Sequence, residues 1–206
     1  MTTNGSYDFY QQVGTKTRMD YLQEAAKSFV DNLNDLSSEN QVGLITFNSK
    51  ANQEVSLGAL SENYSSIMNS FDTIQTATGT NQYAALTIAN NMLQNDSSTN
   101  EKYVILLTDG APNWKEENNS GKEETVGAQE SWNKITDAAN TTKQSATLMT
   151  LGVGIGYVDE GAKQDGSPLA STMLAEIASV DKNEKAYYYN TDNASSLEGL
   201  FDNMFT

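Results

Sequence analysis

The chain has 206 residues and a formal net charge of −15, from 12 Lys and Arg against 27 Asp and Glu. That balance argues against nucleic acid and anionic membrane surfaces as partners, because both are bound through clustered cations. With no His and no Cys, disulfides, thiolate metal sites, thiol nucleophiles and Ser-His-Asp catalysis are excluded, and with them most hydrolase and zinc chemistry.

Residues 1–17 (MTTNGSYDFYQQVGTKT) are polar and Gly-punctuated and read as a loop. From residue 18, Met19, Leu22, Ala25, Ala26, Phe29, Val30, Leu33 and Leu36 recur at three- and four-residue intervals, the period of an amphipathic helix. Residues 42–47 (VGLITF) form a short apolar run expected of a strand covered on both faces. The alternating stretch 51–57 suggests a neighbouring strand nearer the sheet edge. Helices are expected over 61–71 and, after TGTN, over 82–93.

Residues 103–108 (YVILLT) are the most apolar strand and stop at Asp109-Gly110. The charged stretch 111–126 reads as loop, followed by a helix over 129–143 and a strand over 147–153. The chain then predicts a Gly-rich turn, a helix over 169–178, a strand over 186–189 and a last helix over 194–205. Gly152, Gly154 and Gly156 are not spaced as a dinucleotide fingerprint, so the turn reading holds. Strands alternating with helices of ten or more residues imply an α/β fold, a mostly parallel sheet with helices on both faces. The length fits one domain over 1–206, with 1–17 a polar loop and 18–206 the body. No apolar stretch is long enough to insert in a membrane, and no signal-peptide or anchor pattern is present.

RMDYLQEAAKSFVDNL (18–33), VGLITFNSKA (42–51), TGTNQYAAL (78–86) and VILLTDGAPN (104–113) fall in one order within one domain length. So do LGVGIG (151–156), LAEIAS (174–179) and YYYNTDNASSLEGLFDNM (187–204). Together these segments resemble the von Willebrand factor A domain, a Rossmann-like α/β fold with a metal-ion-dependent adhesion site. The resemblance implies Thr80 as a hydroxyl ligand and Asp109 as a carboxylate ligand, direct or through water, for Mg2+ or for Mn2+ or Ca2+. Hard oxygen donors at strand ends suit such cations and leave a position for an acidic ligand. Read without the resemblance, Asp109 suits a turn in Asp-Gly and Thr80 suits a helix N-cap.

The family's first strand and its D-x-S-x-S motif have no counterpart here, and Met1 resembles the residue that often follows that motif. The resemblance therefore implies a domain lacking its central first strand, with weakened metal binding and marginal stability unless something fills the slot. Tyr7, Phe9 and Val13 alternate as a candidate filler, but they would bury Asp8, Tyr10 and Gln12 on the other face; a strand donated by another segment is the alternative. Glu116, Glu117, Glu123 and Glu124, with Asp109, read either as a solvated loop or as an accessory cation site. Trp114 reads equally as a ligand anchor or as packing against the helix over 129–143, and Asp192 and Asn193 as caps.

The implied function is non-enzymatic: a module that docks a protein or extracellular-matrix ligand offering a carboxylate. The Asn-, Ser- and Thr-rich loops, the missing Cys and the acidity resemble adhesins and pilus-tip proteins on the Gram-positive bacterial surface, which implies an extracellular location. An intracellular member assisting an ATPase or a metal-insertion complex, and a truncated fragment with no independent activity, stay open.

Overall fold

The computed structural model describes residues 17–37, 39–117, 120–165 and 169–191, together with 196 and 199. Residues 1–16 of the loop read over 1–17, with the alternating Tyr7, Phe9 and Val13, lie outside the described residues. So do Asp192, Asn193 and all but two positions of the helix expected over 194–205.

Helix α1 (Arg18–Leu36) starts where Thr17 and Asp20 close a capping box: the Thr17 amide donates to Asp20 Oδ2 at 2.7 Å, and the Asp20 amide donates to Thr17 Oγ1 at 3.1 Å. Strands β1 (Gln41–Phe47) and β2 (Ala51–Ala59) follow as an antiparallel pair, then helices α2 (Leu60–Thr73) and α3 (Gln82–Asn95). Strand β3 (Tyr103–Thr108) leads to a short antiparallel hairpin, β4 (Lys115–Glu117) with β5 (Glu123–Thr125), and to helix α4 (Ala128–Thr142). Strand β6 (Thr147–Val153), helices α5 (Ile155–Asp165) and α6 (Ala170–Ile177) and strand β7 (Tyr188–Thr191) complete the described elements. Strands β3, β6 and β7 form a parallel sheet in that order.

Alternation along β6 divides the core into layers. Met149, Leu151 and Val153 face Ala25, Tyr21 and Leu22 of α1. Leu148 packs on the other face with Leu86 of α3, Ile135 of α4 and Leu174 of α6, and Thr150 Oγ1 donates to the Leu174 carbonyl there at 2.9 Å. Further along α1, Val30, Ala26 and Leu33 pack with Val42, Leu44 and Val55 of the β1–β2 pair. One helix therefore spans both sheets on one side, a Rossmann-like arrangement with helices on both faces.

Among the described residues β1 pairs only with β2, and β3 only with β6. Their other edges face a cavity of about 1110 Å3, walled by Leu22, Phe29 and Leu33 of α1 and by Met92 and Leu93 of α3. Both strands end at one edge of the domain. Beyond β1, the Ser49 amide donates to the Thr78 carbonyl at 3.1 Å, and beyond β3, a Cβ on Gly110 would stand 3.0 Å from Thr80 Oγ1. The strands thus run parallel to each other across the cavity, with their C-terminal ends at what is here the upper edge.

Four elements differ from the sequence reading. Residues of β1 are partly exposed where full cover is expected, because the cavity opens beside the strand. The charged stretch 111–126 contains the β4–β5 hairpin, three residues to a strand, too short for a periodic signal. Helix α5 replaces most of the expected turn: only Gly154 takes a positive φ, 69°. Burial of Ile155 and Ala162 outweighs the poor helix propensity of Gly156 and Gly161. Strand β7 lies two residues later than expected, Ala186 being drawn into an isolated bridge with Val180.

Candidate cation site at the upper edge of the sheet

Three loops meet at the upper edge. The turn between β1 and β2 is tied to the segment before α3 by the Asn81 amide, which donates to the Asn48 carbonyl at 2.7 Å. Asn81 Nδ2 donates to the Ser49 carbonyl at 3.2 Å, and the Ala84 amide donates to Asn81 Oδ1 at 3.0 Å. Asn81 is thus the N-cap of α3, one residue later than the cap alternative read at Thr80. The third loop, following β3, is held by a two-way bridge: the Thr80 amide donates to the Asn113 carbonyl at 2.7 Å and the Asn113 amide to the Thr80 carbonyl at 3.0 Å.

This arrangement brings Thr80 and Asp109 to the same end of the cavity, with Thr78, Asn113 and Gly110 beside them. Thr80 approaches through Gly79, whose φ of 92° is open to glycine alone at low cost. A Cβ there would stand 2.8 Å from the backbone nitrogen and Cα of Ser49. Beneath the site Gln82, fully buried, donates through Nε2 to the Gly110 carbonyl at 3.2 Å and to Thr108 Oγ1 at 3.4 Å. Its Oε1 is buried without a hydrogen-bond partner, so the carbonyl face of this amide carries an unmet demand for a donor. Of these supports, Asn81 has a readable signal, an Asn ahead of an apolar helical run. Gln82 and Asn113 have none, because their roles depend on loops distant in sequence.

Thr80 and Asp109 would offer a cation a hydroxyl and a carboxylate, hard oxygens of the kind Mg2+, Mn2+ or Ca2+ accept. Such ions take about six oxygens or more, so two protein donors leave most positions to water and an incoming ligand. Among the described residues no group of three or more Asp or Glu is placed to hold a metal ion. In particular the hairpin register sets Glu116 opposite Glu124 and Glu117 opposite Glu123, which divides the four carboxylates between the two faces of the hairpin.

Trp114 is buried at 2% exposure in the core cluster with Ile135 of α4, which favours packing over ligand contact. Its ring stacks on Tyr83 at 6.4 Å between centroids, and its Nε1 donates to Glu116 Oε1 at 2.9 Å. Lys134 pairs with Glu116, lies 3.2 Å from Glu130 and stands over the Tyr83 ring at 5.9 Å. The Lys134 ammonium, and secondarily the Trp114 N–H, holds the Glu116 carboxyl below its ordinary pKa. Glu116 in turn raises that of Lys134. This cluster fastens the hairpin to α3 and α4 beside the loop that carries Asp109.

Solved structures share this architecture at low identity. The pilus adhesin SpaC of Lactobacillus rhamnosus GG, in an open conformation, aligns at a TM-score of 0.66 and 20% identity, over 90% of this chain and 27% of SpaC. The von Willebrand factor domain of the type V pili tip protein Mfa5 of Porphyromonas gingivalis aligns at 0.70 and 13%, over 91% and 86% of the two chains. A mutant of the PilB minor pilin of Streptococcus sanguinis aligns at 0.66 and 15%, over 94% and 55%. The chain thus spans about a quarter of SpaC and about half of PilB. No curated protein sequence matches it. A family model described as von Willebrand factor type A domain matches residues 2–111, and with more than half of its length so matched the chain belongs to the von Willebrand factor type A domain family.

Proposed function

We propose that the chain is a protein-docking module of the bacterial cell surface that meets an acidic group of its partner through a divalent cation held by Thr80 and Asp109. The observation that supports this reading is that the residue after Asp109 stands against Thr80: a Cβ on Gly110 would lie 3.0 Å from Thr80 Oγ1. When bound, the cation supplies positive charge to an otherwise acidic surface. Thr80 and Asp109 orient it, and the Asn81 and Asn113 bridges hold their loops in register. Docking rather than catalysis fits a site without imidazole or thiol, and a surface location follows the pilus adhesin, tip protein and pilin among its structural relatives. With two protein donors among the described residues the affinity is weak.

Titration calorimetry with Mg2+ alone tests this reading. The expected result is a dissociation constant weaker than micromolar, lost in Asp109→Ala and reduced in Thr80→Val, with the melting temperature of each variant in EDTA unchanged. Micromolar affinity would contradict the two-donor site, and binding that survives Asp109→Ala would remove Asp109 from it.

A further inference from the structure

Two buried amide side chains lie within α3, and the fold treats them differently. Asn90 is engaged through both atoms of its amide: Nδ2 donates to the Ala138 carbonyl of α4 at 3.0 Å, and Oδ1 accepts from Thr142 Oγ1 at 2.7 Å. Gln82, at 0% exposure, is engaged through its nitrogen alone. Nε2 donates to the Gly110 carbonyl at 3.2 Å and to Thr108 Oγ1 at 3.4 Å, while Oε1 has no hydrogen-bond partner among the described residues. A buried acceptor left unmet costs stability, and an apolar side chain of the same length would avoid that cost. Nor do the two groups that Gln82 serves depend on it. Thr108 Oγ1 donates to the Gly110 carbonyl and accepts from the Gly110 amide, both at 3.4 Å. Stability therefore gives no reason for an amide at this position.

Its place in the fold does. Gln82 is the first residue of α3, two after Thr80, and its nitrogen bonds on either side of Asp109, to Thr108 before it and Gly110 after it. One side chain thus ties the segment that carries the hydroxyl to the turn that carries the carboxylate. The bridge between Thr80 and Asn113 joins the same two segments farther along the loop, whereas Gln82 acts at the Asp109 turn itself. The bonds between Thr108 and Gly110 are local: they keep the shape of the turn but not its distance from α3. We infer that Gln82 is a positioning residue of the cation site, whose bonds set the spacing of Thr80 and Asp109 rather than the stability of the fold. This role presupposes the cation site proposed above. A fixed spacing matters most to Mg2+, which demands near-octahedral oxygens at about 2.0–2.1 Å, and less to Ca2+, which takes oxygens at about 2.3–2.6 Å in flexible geometry. Gln82 therefore governs how sharply the site separates the two ions.

The test titrates the full chain with MgCl2 and, separately, with CaCl2, following amide chemical shifts, and records melting temperatures in EDTA. Wild type is compared with Gln82→Met, Asn90→Leu and Asp109→Ala. Gln82→Met keeps the length of the side chain and removes its bonds; Gln82→Leu repeats the substitution with a smaller side chain, which exposes any clash particular to methionine. Gln82→Met should melt at or above wild type in EDTA, yet its Mg2+ dissociation constant should rise by about 10–100-fold, as for residues that orient metal ligands. The rise for Ca2+ should be smaller. Exchange of the Gly110 amide hydrogen in EDTA should quicken. Asn90→Leu should do the reverse, melting lower with Mg2+ affinity unchanged. Unchanged Mg2+ affinity in Gln82→Met, beside a loss in Asp109→Ala, would overturn the role of Gln82 and leave the cation site standing. A melting temperature that falls together with affinity in both Gln82 variants would also overturn it, since that is the mark of a structural amide. An equal loss for both ions would overturn the part played by spacing. Binding that survives Asp109→Ala would remove the site, and the role of Gln82 with it.

Discussion

Replacing Gly79 with Ala tests whether the loop before α3 is as tightly set against the β1–β2 turn as the geometry states. Gly79 has φ 92°, and a left-handed backbone costs a residue with a Cβ about 1–2 kcal/mol. The new methyl would stand 2.8 Å from the N, Cα and Cβ of Ser49, two of them backbone atoms that cannot rotate aside, and overpacking of this kind costs about 1–3 kcal/mol. The sum, about 2–5 kcal/mol, is a large share of the roughly 5–15 kcal/mol stability of a domain. At about 2–4 °C per kcal/mol for this chain length it lowers the melting temperature by roughly 4–20 °C. Gly161→Ala is the control: it lies inside α5, nothing lies within 4 Å of its Cβ position, and it should melt with or slightly above wild type, since Ala is the better helix former. Circular dichroism melts of the three proteins decide the matter. If Gly79→Ala melts with wild type, the loop yields freely, and the fixed placement of Thr80 beside Gly110 is refuted with it.

Trp114→Ala removes a fully enclosed ring from the α3–α4 layer and should cost about 3–5 kcal/mol, with loss of near-ultraviolet dichroism from the Tyr83 stack. A loss below about 1 kcal/mol would mean that the ring is not packed as described. A pH dependence is expected at the lower mouth of the cleft. Lys102, 2.8 Å away, and then Ser98 hold Asp96 at a pKa of about 2 against an ordinary 3.8. Because the folded pKa is the lower one, the stabilisation is present above about pH 4 and lost as pH falls from there to about 2. The gap in melting temperature between wild type and Asp96→Asn should therefore narrow over that window, and a constant gap would contradict the pairing.

Most of the α/β order is legible because long elements carry their own period. The residues from Met19 to Leu36 repeat as a helix must, and YVILLT and TLMTLGV are apolar runs of strand length ended by Asp-Gly and Gly. What is illegible depends on contacts outside the local window. Helix α5 contains Gly156 and Gly161 and looks like a turn until Ile155 and Ala162 are seen buried. The hairpin at Lys115–Glu117 is fixed by Trp114 and Lys134 rather than by its own alternation. At the upper edge, Thr80 and Asp109 are reached only through the family pattern. The residues that hold their loops, Gln82 and Asn113, carry no local mark, since a buried amide and a backbone bridge have no spacing to reveal them.

Strands β1 and β6 make the physical reason for the cleft plain. VGLITF and TLMTLGV are similarly apolar, and helices cover both faces of each. Yet six of the seven residues of β6 are buried, while none of those in β1 is. Faces cannot explain the difference, since α1 serves both strands, through Tyr21, Leu22 and Ala25 at one and Ala26, Val30 and Leu33 at the other. Edges can: β6 is paired on both sides, by β3 and by β7, and β1 on one side only. An apolar strand with an open inner edge exposes the flanks of its side chains as well as its backbone to the cavity, so the partial exposure of β1 measures what a neighbouring strand would cover. The same logic makes α1 the tie between the two sheets, and a substitution that shortens its apolar face, such as Phe29→Ala, should loosen β1–β2 from β3–β6–β7 before it unfolds either.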